Sequence, residues 1–197
     1  MNNAGYGEFG SVEETSLDDA RRQFEVNLFG LVRLTQLLLP GMRDAGRGRI
    51  VNVSSLAGRF ASPMGGWYHA SKFALEALSD SLRAEVRPFG VHVAVVEPGP
   101  VRTGWHDEAI SHLEVTSAAG PYADQTSAVA RFLRGSEQQQ LASTPDQVAE
   151  VIITAATVPR PKTRYTVGRG ASTAIALGRY LPDRTFDWLT RRQFGLA

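Results

Sequence analysis

Two apolar runs separated by one long helical pattern constrain this chain more than any other feature. Arg49 to Ser54 (R-I-V-N-V-S) and Val91 to Glu97 (V-H-V-A-V-V-E) are short and rich in β-branched residues. They read as strands buried within a sheet. Between them, Trp67 to about Arg87 carries a helical pattern of about six turns. Strands joined by a helix of that length run parallel, since an antiparallel pair closes with a tight turn. The alternation continues on both sides. Ser16 with Asp19 reads as a capping box opening a helix to about Leu39. Phe24, Leu28, Leu31 and Leu38 form its apolar stripe, and Pro40-Gly41 stands at its end. Further on, Thr144 caps a helix over Pro145 to Val158, and Arg164 to Val167 is a short strand. Two short helices follow, near Ala171 to Arg179 and Arg184 to Phe194, while Trp105 to Leu141 shows no clean period and reads as a loop with short helices. The expectation is an α/β chain with a doubly wound parallel sheet, in a single domain over 1–197.

Chemistry concentrates between Ile50 and Lys72, in I-V-N-V-S-S-L-A-G-R-F-A-S-P-M-G-G-W-Y-H-A-S-K. Tyr68 and Lys72 stand one helical turn apart on one face. A free tyrosine, with a pKa of about 10, is a poor acid or base at neutral pH. A cation within about 4–6 Å favours the phenolate and lowers that value by roughly 1–3 units. Ser55 follows the first strand, which puts its hydroxyl at the carboxyl edge of the sheet, where open α/β folds bind ligands. A serine donor, a tunable phenol and a lysine are what carbonyl reduction or alcohol oxidation needs at the oxygen. The hydride must come from a cofactor.

These residues resemble the catalytic set of the short-chain dehydrogenase/reductase (SDR) family, which places a serine about a dozen residues before Tyr-x-x-x-Lys. Ser55 precedes Tyr68 by 13, and Ser54 fits second best. Three more motifs match in order: Asn2-Asn3-Ala4-Gly5, Asn27 within F-E-V-N-L-F-G, and Pro98-Gly99-Pro100-Val101-Arg102-Thr103. The resemblance implies a Rossmann-like fold, a catalytic tetrad of Asn27, Ser55, Tyr68 and Lys72, and NAD or NADP as cofactor. It implies cofactor contacts from Asn3, Ala4, Gly5, Tyr68, Lys72, Pro98, Gly99, Val101 and Thr103, with Lys72 on the nicotinamide ribose and Thr103 on the carboxamide. Tyr68 would be the acid in reduction and the base in oxidation. Asn27 would hold a water relaying protons to Lys72; the plainer alternative is a buried amide satisfying backbone. The implied substrate is a secondary alcohol or ketone. The C-terminal run is similar to those of steroid-type members, which points to a lipid or steroid-like molecule. The two long helices would form a homo-oligomer interface in the complete protein.

The chain also departs from that pattern. The family opens with a strand, a T-G-x-x-x-G-x-G turn and a helix, and none of these precedes Asn2. The chain reads as the last two thirds of the fold, without the first strands or the residue that selects NAD or NADP. Gly5-Tyr6-Gly7-Glu8-Phe9-Gly10 spells G-x-G-x-x-G, but lacks the preceding strand and the helix that the dinucleotide fingerprint needs. It reads as the loop after N-N-A-G. Lysine is confined to Lys72 and Lys162 among many arginines, as in GC-rich coding. Met1 then reads as a strand valine whose GTG codon was taken for a start. An in-frame stop just upstream would sink that idea.

Composition narrows the alternatives. A net charge of +1 calls for neither nucleic acid nor an acidic membrane. The absence of cysteine removes thiol chemistry, and no basic-then-apolar leader opens the chain. The expected location is cytoplasmic. His106 and His112, with Asp107 and Glu108, are not read as a metal site; no metal is expected. His69 reads as a substrate-side or packing residue, and Trp105, Leu113 and Tyr122 as pocket lining. Phe186, Trp188, Leu189 and Phe194 lie on a tail helix that covers the pocket or meets a subunit. The alternatives to an oxidoreductase are a non-catalytic remnant, or a binding protein on the same fold that cannot hold the cofactor. Without a glycine turn for the pyrophosphate, the 197 residues alone are expected to be poorly soluble or inactive.

Overall fold

A computed structural model describes residues 1–135, 140 and 142–196. In chain order the elements are α1 (Leu17–Phe24), a π-helical segment (Glu25–Phe29), α2 (Gly30–Asp44), β1 (Gly48–Val53) and α3 (Gly66–Val86). Then come β2 (Val91–Pro98), α4 (Trp105–Ser117), α5 (Ala123–Arg134), α6 (Pro145–Thr157), β3 (Arg164–Val167), α7 (Ala171–Tyr180) and α8 (Asp183–Gln193). The sheet runs β1-β2-β3, all parallel, with Ile50 opposite Val93 and Val95 opposite Arg164. Asn2 pairs in parallel with Asn52 on the free edge of β1, through Asn2 N–H to Val51 O (2.8 Å) and Val53 N–H to Asn2 O (2.9 Å).

Strand alternation sorts the core into two faces. Ile50, Val91 and Val93 meet Val86 and Leu82 of α3 and Leu39 and Met42 of α2. Val51, Ala94, Val96 and Val167 meet Val148, Val151, Ile152 and Ala155 of α6 on the opposite face. Helices therefore cover both faces, as a doubly wound sheet requires. Arg49, on the α6 face, donates to the carbonyls of Ala155 (2.8 Å) and Val158 (3.0 Å). Those are orphan acceptors at the C-terminus of α6, where a cation is favoured.

Three expectations need correction. The first helix continues past Pro40 to Asp44. Met42 packs into the β1–β2 face, so tertiary contact holds the last turn. The helix stops at Gly46, whose φ of 65° favours glycine, with Arg47 N–H on Met42 O and Gly46 N–H on Arg43 O. The same helix is also interrupted by the π segment around Asn27, which no spacing announces. Finally, the stretch read as a loop with short helices forms two helices of 13 and 12 residues, α4 and α5. Their buried faces include Ser117, Thr126, Ala128 and Ala130, small or polar residues that blur a hydrophobic period. Residues 136–139 and Leu141 of that stretch lie outside the described ones.

Burial sets a test of this packing. Leu75 of α3 is 1% exposed and Val115 of α4 is 86% exposed. Leu75→Ala should lower unfolding free energy by about 2–5 kcal/mol, and Val115→Ala by less than about 0.5 kcal/mol, in urea melts followed by circular dichroism.

Candidate active site

The serine is set by the end of β1. Ser54 N–H donates to Val96 O (2.8 Å), carrying the ladder one residue beyond the strand. Ser55 then caps a single 3-10 turn, Leu56–Gly58, its Oγ accepting from Ala57 N–H at 3.1 Å. The same oxygen lies 3.5 Å from Pro98 O at the end of β2. Pro98-Gly99 is held in turn by Gly99 N–H on Val167 O (2.8 Å). Pro100 to Arg102 pair with Ser143, which brings Val101 alongside it. Thr103 Oγ1 accepts from Trp105 N–H at 3.3 Å.

Helix α3 delivers the other groups to the same edge. Tyr68 lies in its first turn, and Lys72 Nζ donates to Val53 O at 3.2 Å, 5.9 Å from the centre of the Tyr68 ring. Asn27, fully buried in the π segment, accepts from Tyr6 N–H through Oδ1 (3.1 Å). Its Nδ2 donates to Tyr6 O (3.0 Å) and Ser71 Oγ (3.1 Å), and Ser71 Oγ donates to Tyr68 O (2.7 Å). Asn27 thus ties the loop after N-N-A-G to α3 at Ser71, next to Lys72. A π bulge re-aims one side chain in this way, and such bulges are frequent at functional sites. A Cβ on Gly5 would lie 3.1 Å from Asn27 Oδ1, a tight fit, and 3.5 Å from Lys72 Nζ, so residue 5 sits close against both. Asn3, Ala4 and Gly5 present an exposed shelf beside this junction.

Electrostatics here run opposite to the expectation from the Tyr-x-x-x-Lys spacing. Burial pushes the Tyr68 phenol up to about 12, opposed only by a hydrogen bond from Ser55. Burial also holds the Lys72 ammonium down to about 8, with the nearby Glu76 carboxylate acting against it. Desolvation outweighs partner charge because both groups are sealed from water, and a low-dielectric site disfavours either charged form.

Behind the site lies a charge network that the sequence pattern did not reveal. Glu97, 1% exposed at the end of β2, accepts from Arg59 Nη1 (3.1 Å) and Thr166 Oγ1 (2.9 Å) and forms an ion pair with Arg164 Nε (3.2 Å). Arg164 also binds Glu76 (3.0 Å) and Asp80 (2.7 Å) on α3. Two ties therefore join the turn after Ser55 to the end of β2, Ser55 to Pro98 and Arg59 to Glu97. The available signal was an acid closing an otherwise apolar buried strand, V-A-V-V-E. His69 pins the far side of the same loop. Its Nε2 accepts from Ser62 N–H (3.2 Å), so Nδ1 carries the proton and donates to Ala57 O (3.0 Å). Burial keeps the imidazole's pKa below its ordinary value.

The side of this site toward α4 is aromatic. Phe9, Tyr68 and Trp105 meet with ring centres 5.2–5.9 Å apart. Leu113 is buried in the same cluster, and Tyr122 packs at its margin with its hydroxyl donating to Glu13 (2.6 Å). His112 pairs with the buried Glu8 at 3.0 Å. The tail helix α8 sets Phe186 against Phe60, and Phe194 beyond it packs against Phe132 of α5 with the rings tilted by 50°. A cavity of about 400 Å³ opens beside the first turn of α4, lined by Val101, Thr103, His106, Asp107, Ile110 and Leu133 among others. None of Asn27, Ser55, Tyr68 and Lys72 lines it.

Known proteins are similar to this chain. The short chain dehydrogenase family matches residues 1–114. The probable short-chain type dehydrogenase/reductase VdlC of Helicobacter pylori is 39% identical over 191 residues, 97% of this chain and 69% of its own length. A short-chain dehydrogenase structure from Streptomyces avermitilis superposes with a TM-score of 0.72 at 33% identity, covering 89% of this chain and 62% of that one. A short chain dehydrogenase/reductase from Burkholderia phymatum, solved in complex with NAD, gives 0.73 at 26% identity over 89% of this chain and 63% of that one. The chain thus spans about two thirds of the length of these proteins.

The buried lysine makes a stability prediction. Lys72 binds its proton less tightly folded (about 8) than unfolded (10.5), so between those values the unfolded state holds more protons. Stability should therefore rise with pH across this window. From pH 8 to pH 10, below the range where Tyr68 opposes the trend, the wild type should gain roughly 1–3 kcal/mol relative to Lys72→Met in urea unfolding. A difference that is flat with pH would show that the ammonium is not desolvated.

Proposed function

This chain belongs to the short-chain dehydrogenase/reductase family, and on that premise we propose that it interconverts a secondary alcohol and a ketone, with NAD or NADP as cofactor. The observation that carries the reading is the convergence of Ser55, Tyr68 and Lys72 with the N-N-A-G and Pro98-Gly99 turns at one edge of the sheet. Exposed Asn3, Ala4 and Gly5, the last beside Lys72, together with Pro98, Gly99, Val101 and Thr103 after β2, fit the nicotinamide half of such a cofactor. The nicotinamide, when bound, supplies hydride for reduction and accepts it in oxidation.

In reduction, the Tyr68 hydroxyl gives its proton to the carbonyl oxygen while Ser55 donates a hydrogen bond to the same oxygen as negative charge builds there. Lys72 stands beside the phenolate this leaves. Its lowered proton affinity suits it to return a proton to Tyr68. Oxidation runs the same transfers in reverse. Asn27 acts by positioning: it holds Tyr6 and Ser71, and through them the N-N-A-G turn and the α3 backbone.

The same reading brings further proposals. Leu34, Leu37 and Leu38 of α2 and Phe73 and Leu78 of α3 are exposed apolar side chains, which supports a homo-oligomer joined through these helices. Leu37→Arg should shift its size-exclusion profile to that of the monomer. Among the described residues no helix is long and apolar enough to cross a membrane. We place the protein in the cytoplasm, to be checked by cell fractionation. The 197 residues supply nicotinamide-side contacts and no T-G-x-x-x-G-x-G turn, so their turnover alone should be slow and their KM for the cofactor high.

The deciding experiment follows reduced nicotinamide formation from secondary alcohols with NAD or NADP. Tyr68→Phe should lower kcat/KM by about 10²–10⁴-fold while leaving the circular dichroism spectrum in place. Turnover that survives Tyr68→Phe would overturn the assignment.

A further inference from the structure

The space over the Tyr68 phenol is filled by the chain's own indole. Trp105, the first residue of α4, has its ring centre 5.2 Å from that of Tyr68 and 5.9 Å from that of Phe9. Its six-membered ring lies on Gly7, where a Cβ would come within 2.5 Å of Cζ2 and 3.1 Å of Cη2. The slot exists because residue 7 has no side chain. Phe9, Ala57, Met64 and Ile110 belong to the same apolar cluster. The polar group at the floor is the Tyr68 hydroxyl, with Ser55 hydrogen-bonded to it. A molecule whose oxygen is to meet Tyr68 must enter this slot.

The way in is blocked as the residues stand. The 400 Å³ cavity lies beside the first turn of α4 and none of the four catalytic residues lines it. A cavity of roughly 150 Å³ already holds a benzene ring, so there is room for the indole to swing out. The turn that carries Trp105 is lightly held. The N-cap residue of α4, Gly104, has no side chain to cap it, and the first bonds are long, Trp105 N–H to Thr103 Oγ1 at 3.3 Å and Glu108 N–H to Gly104 O at 3.2 Å. Thr103 and Gly104 are exposed.

We infer that Trp105 occupies the substrate's place: the alcohol or ketone carries, next to its reacting carbon, an apolar ring-sized group that displaces the indole, and Trp105 with Gly7 sets that preference. The inference rests on Tyr68 being the acid/base. A ring restores the face and edge contacts that Tyr68 and Phe9 lose when the indole leaves. A short aliphatic chain leaves them unmade, and a polar group loses hydration against Phe9 and Met64.

The test reads the indole directly and needs no turnover. Of the three tryptophans, Trp67 and Trp188 are replaced by phenylalanine in the full chain, which leaves Trp105 as the reporter. Without ligand its emission should be that of a half-buried indole, partly quenched by acrylamide. 1-Phenylethanol should increase the quenching, whereas propan-2-ol at the same concentration should not. Gly7→Ala in this background should increase quenching with no ligand added. As a second variant, Trp105→Ala should bind free indole at least roughly tenfold more tightly than the wild type does, by saturation-transfer NMR. Equal responses to the two alcohols, or no gain in indole binding, would overturn the inference. Tyr68→Phe keeps the ring wall, so it should still let 1-phenylethanol expose Trp105. If it also turns over normally, the acid/base reading fails while the slot stands.

Discussion

In-register parallel pairing of β1 with β2 is the constraint on which the rest of this molecule hangs. Val53 opposite Val96 puts Ser54 and Ser55 beside Glu97 and Pro98, so both strands end at one level. Parallel strands require a crossover, and α3 is that crossover. It must start near the carboxyl edge where β1 has just ended, which brings its first turns, with Tyr68 and Lys72, back over Ser55. Lys72 closes the circuit by donating to Val53 O, the last carbonyl of the strand from which the crossover began. A slip of one residue in this register would reverse the faces of Ile50 and Val51 and dismantle the two half-cores. It would separate the serine from the proline turn by the same stroke.

The strand ends are held by charges that the core would otherwise reject. Glu97 and Glu76 are buried, and each is tolerable only because Arg59 and Arg164 reach in to pair with them. Such a network adds little net stability over an apolar replacement, but breaking one member leaves an uncompensated buried charge that costs about 3–5 kcal/mol. Its consequence is geometric. It ties the turn after Ser55, the end of β2, the start of β3 and the body of α3 into one unit. Asn27 does the same for the loop after N-N-A-G, with three hydrogen bonds from a single amide.

Desolvation and partner charge compete at the phenol, and here desolvation wins. Sealed under Trp105 and Phe9, Tyr68 is held near 12 and Lys72 near 8, so both shifts run toward the neutral form, while Lys72 stays mostly an ammonium at neutral pH. Anything that lets water or a polar ligand reach Tyr68 relaxes both shifts toward their ordinary values. The position of one indole therefore governs access to the phenol and its acidity together.

The sequence by itself determined the strands, the parallel topology and the placing of Tyr68 and Lys72 on one face of a helix. Strand and helix periods are local properties, and Tyr-x-x-x-Lys is one helical turn whatever surrounds it. β3, the cap at Thr144 and the two tail helices were legible for the same reason, each being encoded within a few residues. Other features were not. α4 and α5 hide their period because Ser117, Thr126 and Ala130 do the burying, a choice that makes sense only against the surfaces they meet. The π segment at Asn27, the run of α2 past Pro40 and the pairing of Arg59 with Glu97 depend on contacts between separate elements, such as Asn27 with Tyr6, 21 positions away, and Arg59 with Glu97, 38 positions away. Only the tertiary structure decided those, and with them the direction of the Tyr68 shift, because burial and partner distance arise when distant segments pack and belong to no stretch of chain alone.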